Sequence, residues 1–166
     1  MNQVRLHTIS NCLKICSLVS MKNIIFDLDG TLADTSGDLI AAANNCFIDL
    51  GYGALLNPTI DKLTAFHGGR AMLKEGFKKI SIDWTQELID SQYPNLLRHY
   101  SDHINNKTYL YDGVLRALDR LSKNGYNLGV CTNKPEKLAE LLLTKLEIRA
   151  YFKAMLGADT LSVRKP

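Results

Sequence analysis

The chain is 166 residues long, 46% hydrophobic and 22% charged, with a formal charge of +3 at neutral pH. That is enough chain to bury a core split between two lobes, and too weak a basic balance to imply a nucleic acid or a membrane surface as partner. The four cysteines, Cys12, Cys16, Cys46 and Cys131, follow no disulfide or zinc spacing; Cys46 and Cys131 fall on apolar faces, as buried thiols in a reducing cytoplasm would.

Residues 1–20 hold Arg5 and Lys14 and no acidic residue. Their apolar cluster of Leu13, Ile15, Cys16, Leu18 and Val19 is interrupted by Lys14 and Ser17, too broken for a secretory signal and too short to span a membrane. The first ordered element is expected at Ile24-Ile25-Phe26, which reads as a parallel strand buried on both faces. It stops at Asp27-Leu28-Asp29-Gly30-Thr31-Leu32, with Asp34-Thr35 close behind. Open α/β sheets bind ligands beyond the carboxyl ends of their strands, and residues two apart in an extended chain point to one side. Asp27 and Asp29 can therefore face one reaction centre while Gly30 lets the chain turn away. The competing reading is an acidic turn that merely ends a strand.

Ser36-Gly37-Asp38-Leu39 opens a helix with Leu39, Ile40, Ala43, Cys46, Phe47 and Leu50 at helical spacing, closed by Gly51 and Gly53. A second helical run starts near Gly68-Gly69-Arg70 and reaches Phe77 and Ile80. A third spans about Thr85 to Ile104, and Pro94 is expected to kink or split it. His67 and His99 lack metal-ligand spacing and read as packing or surface residues. Tyr111-Asp112-Gly113-Val114 starts a helix carrying Leu115, Leu118 and Leu121, ended by Asn124-Gly125. Leu128, Val130 and Cys131 form another strand, which runs into Thr132-Asn133-Lys134-Pro135 and a helix from about Glu136 to Leu146. Taken alone, Thr132 and Asn133 suit helix capping, and Lys134 suits the surface or the rim of a cleft. The chain runs on through Met155-Leu156-Gly157-Ala158-Asp159-Thr160 to Arg164-Lys165-Pro166.

The Asp27 to Thr35 stretch resembles the first motif of the haloacid dehalogenase superfamily, in its phosphatase branch. The resemblance implies an α/β fold. A Rossmann-like parallel three-layer core, incomplete here, would occupy residues 21–33 and 109–166, with an inserted α-helical cap at residues 34–108 similar to that of the phosphoglycolate phosphatase group. It implies ester hydrolysis through an aspartyl phosphate on Asp27, with Asp29 protonating the leaving alcohol and then activating water. Thr132, in a Thr-Asn-Lys that resembles the second motif, is implied to donate to a phosphoryl oxygen with Asn133 beside it. Lys165, in a Lys-Pro pair like that of the third motif, is implied to neutralise Asp27 and the phosphoryl group. Mg²⁺ is the implied cofactor, held by Asp27 and the carbonyl oxygen of Asp29. Arg70, in the cap turn His67-Gly68-Gly69-Arg70, is a candidate to reach a substrate carboxylate or phosphate; an exposed arginine on a glycine turn is the competing reading.

These residue types suit that chemistry. An unperturbed aspartate, with a pKa of about 3.9, is ionised at neutral pH and needs no base to become nucleophilic. The obstacle is charge: a carboxylate meeting a phosphate dianion at about 3.5 Å and an effective dielectric of about 20 is repelled by about 9 kcal/mol. Cations must offset most of that, the usual task of Mg²⁺ and lysine in phosphoryl transfer. Asp29 has the opposite requirement, to be protonated when the ester oxygen leaves and ionised when water attacks.

The chain departs from the pattern beyond the Lys-Pro pair, where a fourth, acidic motif would complete the Mg²⁺ site. Weakened Mg²⁺ binding and a nucleophile strand left as an apolar sheet edge are expected, as in a product cut from a longer chain. Asp112 stands where related phosphatases have proline. The expected substrate is a small-molecule phosphate ester, 2-phosphoglycolate first, with phosphosugar phosphatase or phosphomutase chemistry as an alternative and a catalytically impaired remnant as another. Residues 1–20, outside the resemblance, are expected to be an early start or a tail, and no motif sets an oligomeric state.

Overall fold

The computed structural model describes residues 22–162, so the N-terminal extension and Lys165 with its neighbours lie outside the described residues. The elements in chain order are β1 (Asn23–Phe26), β2 (Ala33–Asp34), α1 (Ser36–Asp49), α2 (Lys62–Phe66), α3 (Gly69–Lys79), α4 (Gln86–Asp102), β3 (Tyr109–Leu110), α5 (Val114–Lys123), β4 (Asn127–Cys131), α6 (Glu136–Lys145), a 3₁₀ turn (Arg149–Tyr151) and β5 (Phe152–Leu156). The fold is α/β.

The apolar runs form a parallel sheet in the order β1-β4-β5, with Phe26 opposite Val130 and Cys131 opposite Leu156. All three strands therefore leave the sheet at the same end, which sets Asp27, Thr132 and Gly157 side by side. Alternation along the strands decides which face is covered. Ile24, Phe26, Leu128, Val130, Phe152 and Met155 join a core with Leu118 of α5 and Ala139, Leu142 and Leu143 of α6. The opposite row, Ile25, Gly129 and Ala154, is held in register across the three strands. There Ile25 is 62% exposed, so β1 is not buried on both faces by the described residues. The expectation of a fully buried strand fails because β1 is the sheet edge and the described helices cover only the other face.

Helices α1 to α4 pack on one another through Ile40, Ala43, Phe47, Leu73, Phe77, Ile89 and Leu96, all buried. Phe47 and Phe77 meet edge to face at 5.3 Å between ring centroids. Gly76 permits that approach, since a Cβ there would lie 2.1 Å from Cζ of Phe47. Pro94 does not split α4, which runs from Gln86 through Asp102. Proline removes one backbone bond, and Ile89 on one side with Leu96 and Tyr100 on the other bury enough apolar surface to keep both halves helical. Helix α2 (Lys62–Phe66) is an element the sequence pattern did not suggest.

The helical unit joins the sheet through β2 and β3, which pair antiparallel as a two-stranded ribbon, Ala33 with Leu110 and Asp34 with Tyr109. Asp38, at the start of α1, ties the return linker down by accepting from the N–H groups of Lys107 and Thr108 and from the Thr108 hydroxyl. Among the described residues no helix is long and apolar enough to cross a membrane.

Candidate active site

A cavity of about 280 Å³ opens at the carboxyl end of the sheet, between the sheet and the four helices. The sheet side supplies Asp27, Asp29, Thr132, Asn133 and Lys134, and the helical side supplies Phe66, His67, Gly68, Arg70, Tyr93, Leu96 and Tyr100. Asp27, Asp29, Thr132, Asn133 and Arg70, the candidates named from the sequence within the described residues, thus line one space. Lys165 lies outside the described residues.

Asp27 follows β1 directly, and its Oδ1 accepts the N–H of Leu28 at 2.8 Å. The chain then folds tightly, with the Leu28 carbonyl accepting from Thr31, Leu32 and Ala33. Gly30 makes this turn at φ +77°, a left-handed conformation that glycine adopts at least cost, and the ring of Phe66 lies over it. Asp29 Oδ1 accepts the Thr35 hydroxyl at 2.6 Å. Thr35 is the N-cap residue of α1, yet its side chain makes no capping bond to the helix. Its hydroxyl serves the carboxylate instead.

Lys134 is the principal departure from expectation. It is neither on the surface nor at the rim: its side chain is 4% exposed, and Nζ lies 3.2 Å from Asp29 Oδ1. The same ammonium donates to Tyr100 Oη at 3.0 Å and sits 4.2 Å from the centre of that ring. The loop after β4 turns the side chain inward: Thr132 Oγ1 accepts the Lys134 N–H at 3.2 Å, and the Lys134 carbonyl accepts from Ala158 at 2.9 Å. Burial alone would lower the lysine pKa, but the Asp29 charge and Tyr100 outweigh it and hold the group above its usual range. Tyr100 is pushed up by its own burial, so its phenol stays protonated. The inward turn of Lys134 is not legible in the sequence, because its partners Asp29 and Tyr100 are far away along the chain.

Thr132 is 2% exposed and donates its backbone N–H to the Leu156 carbonyl at 2.9 Å, which fixes the strand end beside β5. Arg70 extends from the first turn of α3, where its Nε donates to Asp90 Oδ1 at 2.8 Å and its guanidinium lies 3.8 Å from the centre of the Tyr93 ring. It is therefore tethered within the helical unit, with its side chain still 38% exposed. His67 lines the cavity, and His99 meets Asp49 at 2.7 Å on the outside. Cys46 is buried, which pushes its thiol up to about 11, whereas Cys131, the last residue of β4, is only partly buried.

A family model for haloacid dehalogenase-like hydrolases matches residues 24–166. The chain belongs to that family. Among curated relatives of this haloacid dehalogenase-like chain, a phosphoglycolate phosphatase of Agrobacterium fabrum is 39% identical over 144 residues, covering 86% of this chain and 60% of that protein. A phosphoglycolate phosphatase of Mesorhizobium japonicum is 36% identical over 145 residues, covering 86% of this chain and 63% of its own. The chain thus spans somewhat over half the length of the curated relatives it matches. Among solved structures, a predicted phosphoglycolate phosphatase from Haemophilus somnus superimposes with a TM-score of 0.73 at 28% identity, over 88% of this chain and 66% of that one. CbbY from Rhodobacter sphaeroides, solved in complex with phosphate, shares the fold at a TM-score of 0.69 and 21% identity, over 88% of this chain and 67% of that one.

The donor set at the sheet end is hard oxygen, which suits Mg²⁺ in kind. Among the described residues no group of three or more His, Cys, Asp or Glu could enclose a metal ion. With Asp29 Oδ1 engaged by Lys134 and Thr35, the donors that fit are the Asp27 carboxylate and the Asp29 carbonyl oxygen. Mg²⁺ commonly uses one or two carboxylates and fills the rest with water and substrate phosphate.

Proposed function

We propose that this chain acts as a phosphatase on a small phosphomonoester, with 2-phosphoglycolate first among substrates. The observation that carries the reading is the convergence of Asp27, Asp29 and Thr132 on one cavity that Arg70 lines from the helical side. The cavity volume lies near the lower end of the range of about 300–1,000 Å³ typical of small-molecule sites, which suits a compact ester. The curated relatives supply the substrate suggestion. In this reading residues 34–108 are a cap over a core of residues 21–33 and 109–166.

The Asp27 carboxylate attacks phosphorus in line with the ester oxygen, and the aspartyl phosphate forms as the P–O ester bond breaks. Asp29 gives the leaving alcohol its proton, then takes one from the water that cleaves the acyl phosphate. Thr132 Oγ1 already accepts from Lys134, so its own proton is the part it offers to a phosphoryl oxygen. Asn133 stands beside it. Lys134 brings a buried positive charge to the same space, worth more there than in water. Arg70 has Nε committed to Asp90, which leaves its Nη groups for a substrate carboxylate. Lys165 is assigned the second cationic role on its Lys-Pro pattern. Mg²⁺, when bound through Asp27 and the Asp29 carbonyl, supplies charge neutralisation between the nucleophile and the phosphoryl group. The reading includes cytoplasmic residence, in keeping with the free thiols of Cys46 and Cys131.

The test is release of p-nitrophenol from p-nitrophenyl phosphate with Mg²⁺, comparing the chain with Asp27→Asn. Loss of turnover in the variant supports covalent catalysis. Equal background from both overturns the phosphatase reading.

A further inference from the structure

We propose that Lys134 is a positioning residue: one buried ammonium that aims the Asp29 carboxylate and fastens the cap helix α4 to the active-site loop through Tyr100. The inference rests on the phosphatase reading for the task of Asp29, and on geometry for the rest.

Asp29 receives two donors on the same oxygen, Oδ1: the Thr35 hydroxyl at 2.6 Å and the Lys134 ammonium at 3.2 Å. Two donors on one oxygen restrain rotation of the carboxyl group and leave Oδ2 as the oxygen that exchanges a proton with the leaving alcohol. The two donors come from different parts of the fold, Thr35 from the linker into the cap and Lys134 from the loop between β4 and α6. Lys134 also spans the cavity wall. Its bond to Tyr100 Oη at 3.0 Å reaches α4, and Tyr100 is 1% exposed. Tyr93, Leu96 and Leu97 of the same helix line the cavity. The position of α4 therefore sets the room available to a substrate, and the ammonium that holds α4 also holds Asp29.

The test uses the full chain and three variants, Lys134→Met, Lys134→Arg and Tyr100→Phe, with two esters. p-Nitrophenyl phosphate has a leaving group that departs without protonation, whereas 2-phosphoglycolate needs a proton on its alkoxide. The Lys134→Met variant is expected to lose at least about tenfold more kcat/KM, which reports ester cleavage and not the later hydrolysis common to both esters, on 2-phosphoglycolate than on p-nitrophenyl phosphate, with partial recovery in Lys134→Arg. Equal losses on the two esters, or no loss, overturn the positioning role, because a merely structural defect lowers both alike. Tyr100→Phe keeps the ring and removes only Oη. It is expected to speed amide hydrogen exchange across residues 96–102, and unchanged exchange overturns the fastening role. If Lys134→Met does not fold, Lys134→Arg and Tyr100→Phe carry both comparisons. If the unaltered chain hydrolyses neither ester, the phosphatase reading fails, and the fastening of α4 stands or falls on the exchange measurement alone.

Discussion

Replacing Asp34 by asparagine tests whether the ribbon between the sheet and the helical unit is pinned by charge. The Asp34 side chain is 3% exposed and pairs with Lys62 at 2.6 Å. Its Oδ1 accepts from the Ser36 N–H at 3.1 Å and the Ser36 hydroxyl at 2.6 Å, and its Oδ2 from the Tyr109 hydroxyl at 3.0 Å. Burial alone would raise the carboxyl pKa, but the bonds from Lys62, Ser36 and Tyr109 outweigh it and pull it from 3.8 down to about 2. At about 1.36 kcal/mol per pH unit, that drop corresponds to about 2 kcal/mol of folding stability. Lys62 is 43% exposed, so salt trims its share. Because the folded-state value is depressed, the stabilisation is complete above the unfolded value near 3.8 and is lost as pH falls toward 2. Urea unfolding of the wild-type chain and Asp34→Asn should therefore differ by about 2 kcal/mol at neutral pH, with a gap that narrows below about pH 4. A gap that is absent at neutral pH, or that persists unchanged at pH 3, refutes the reasoning.

Arg70→Ala should raise KM for 2-phosphoglycolate by about tenfold, from the loss of one charge-assisted contact of about 1.5 kcal/mol, and leave KM for p-nitrophenyl phosphate nearly unchanged. Steady-state kinetics on both esters check this, and equal shifts would remove Arg70 from carboxylate recognition. Gly76→Ala should destabilise the chain by about 1–3 kcal/mol despite alanine's better helix propensity, since its Cβ would lie 2.1 Å from the buried Phe47 ring. Denaturant unfolding reads the change, and a stabilised variant contradicts the packing of α3 on α1.

The parts of the molecule legible in the sequence are those set by local pattern. The β1 run that stops just before Asp27, the helix from Ser36 and the strand that stops just before Thr132 all follow from apolar periodicity and glycine placement, and they bring the acidic pair and the hydroxyl to one sheet end. What escaped depends on distant neighbours. Nothing near Lys134 says that its side chain turns inward, because Asp29 and Tyr100 come from other segments. Thr35 is named only as part of the motif, and the folded chain shows its hydroxyl given to Asp29. Pro94 obeys its local rule by removing a backbone bond, but the buried residues on either side outweigh that loss. Ile25 looks like a core residue because its composition says nothing about which face the helices cover.

The central claim is that the side chain of Asp27 takes phosphorus from the substrate. Acid-quenching the chain during turnover of p-nitrophenyl phosphate with Mg²⁺, followed by peptide mass spectrometry, addresses it directly. The account predicts one phosphoryl group on the peptide containing Asp27, labile to hydroxylamine and missing from Asp27→Asn. Sustained turnover with that peptide unmodified, or with the label on another residue, contradicts it.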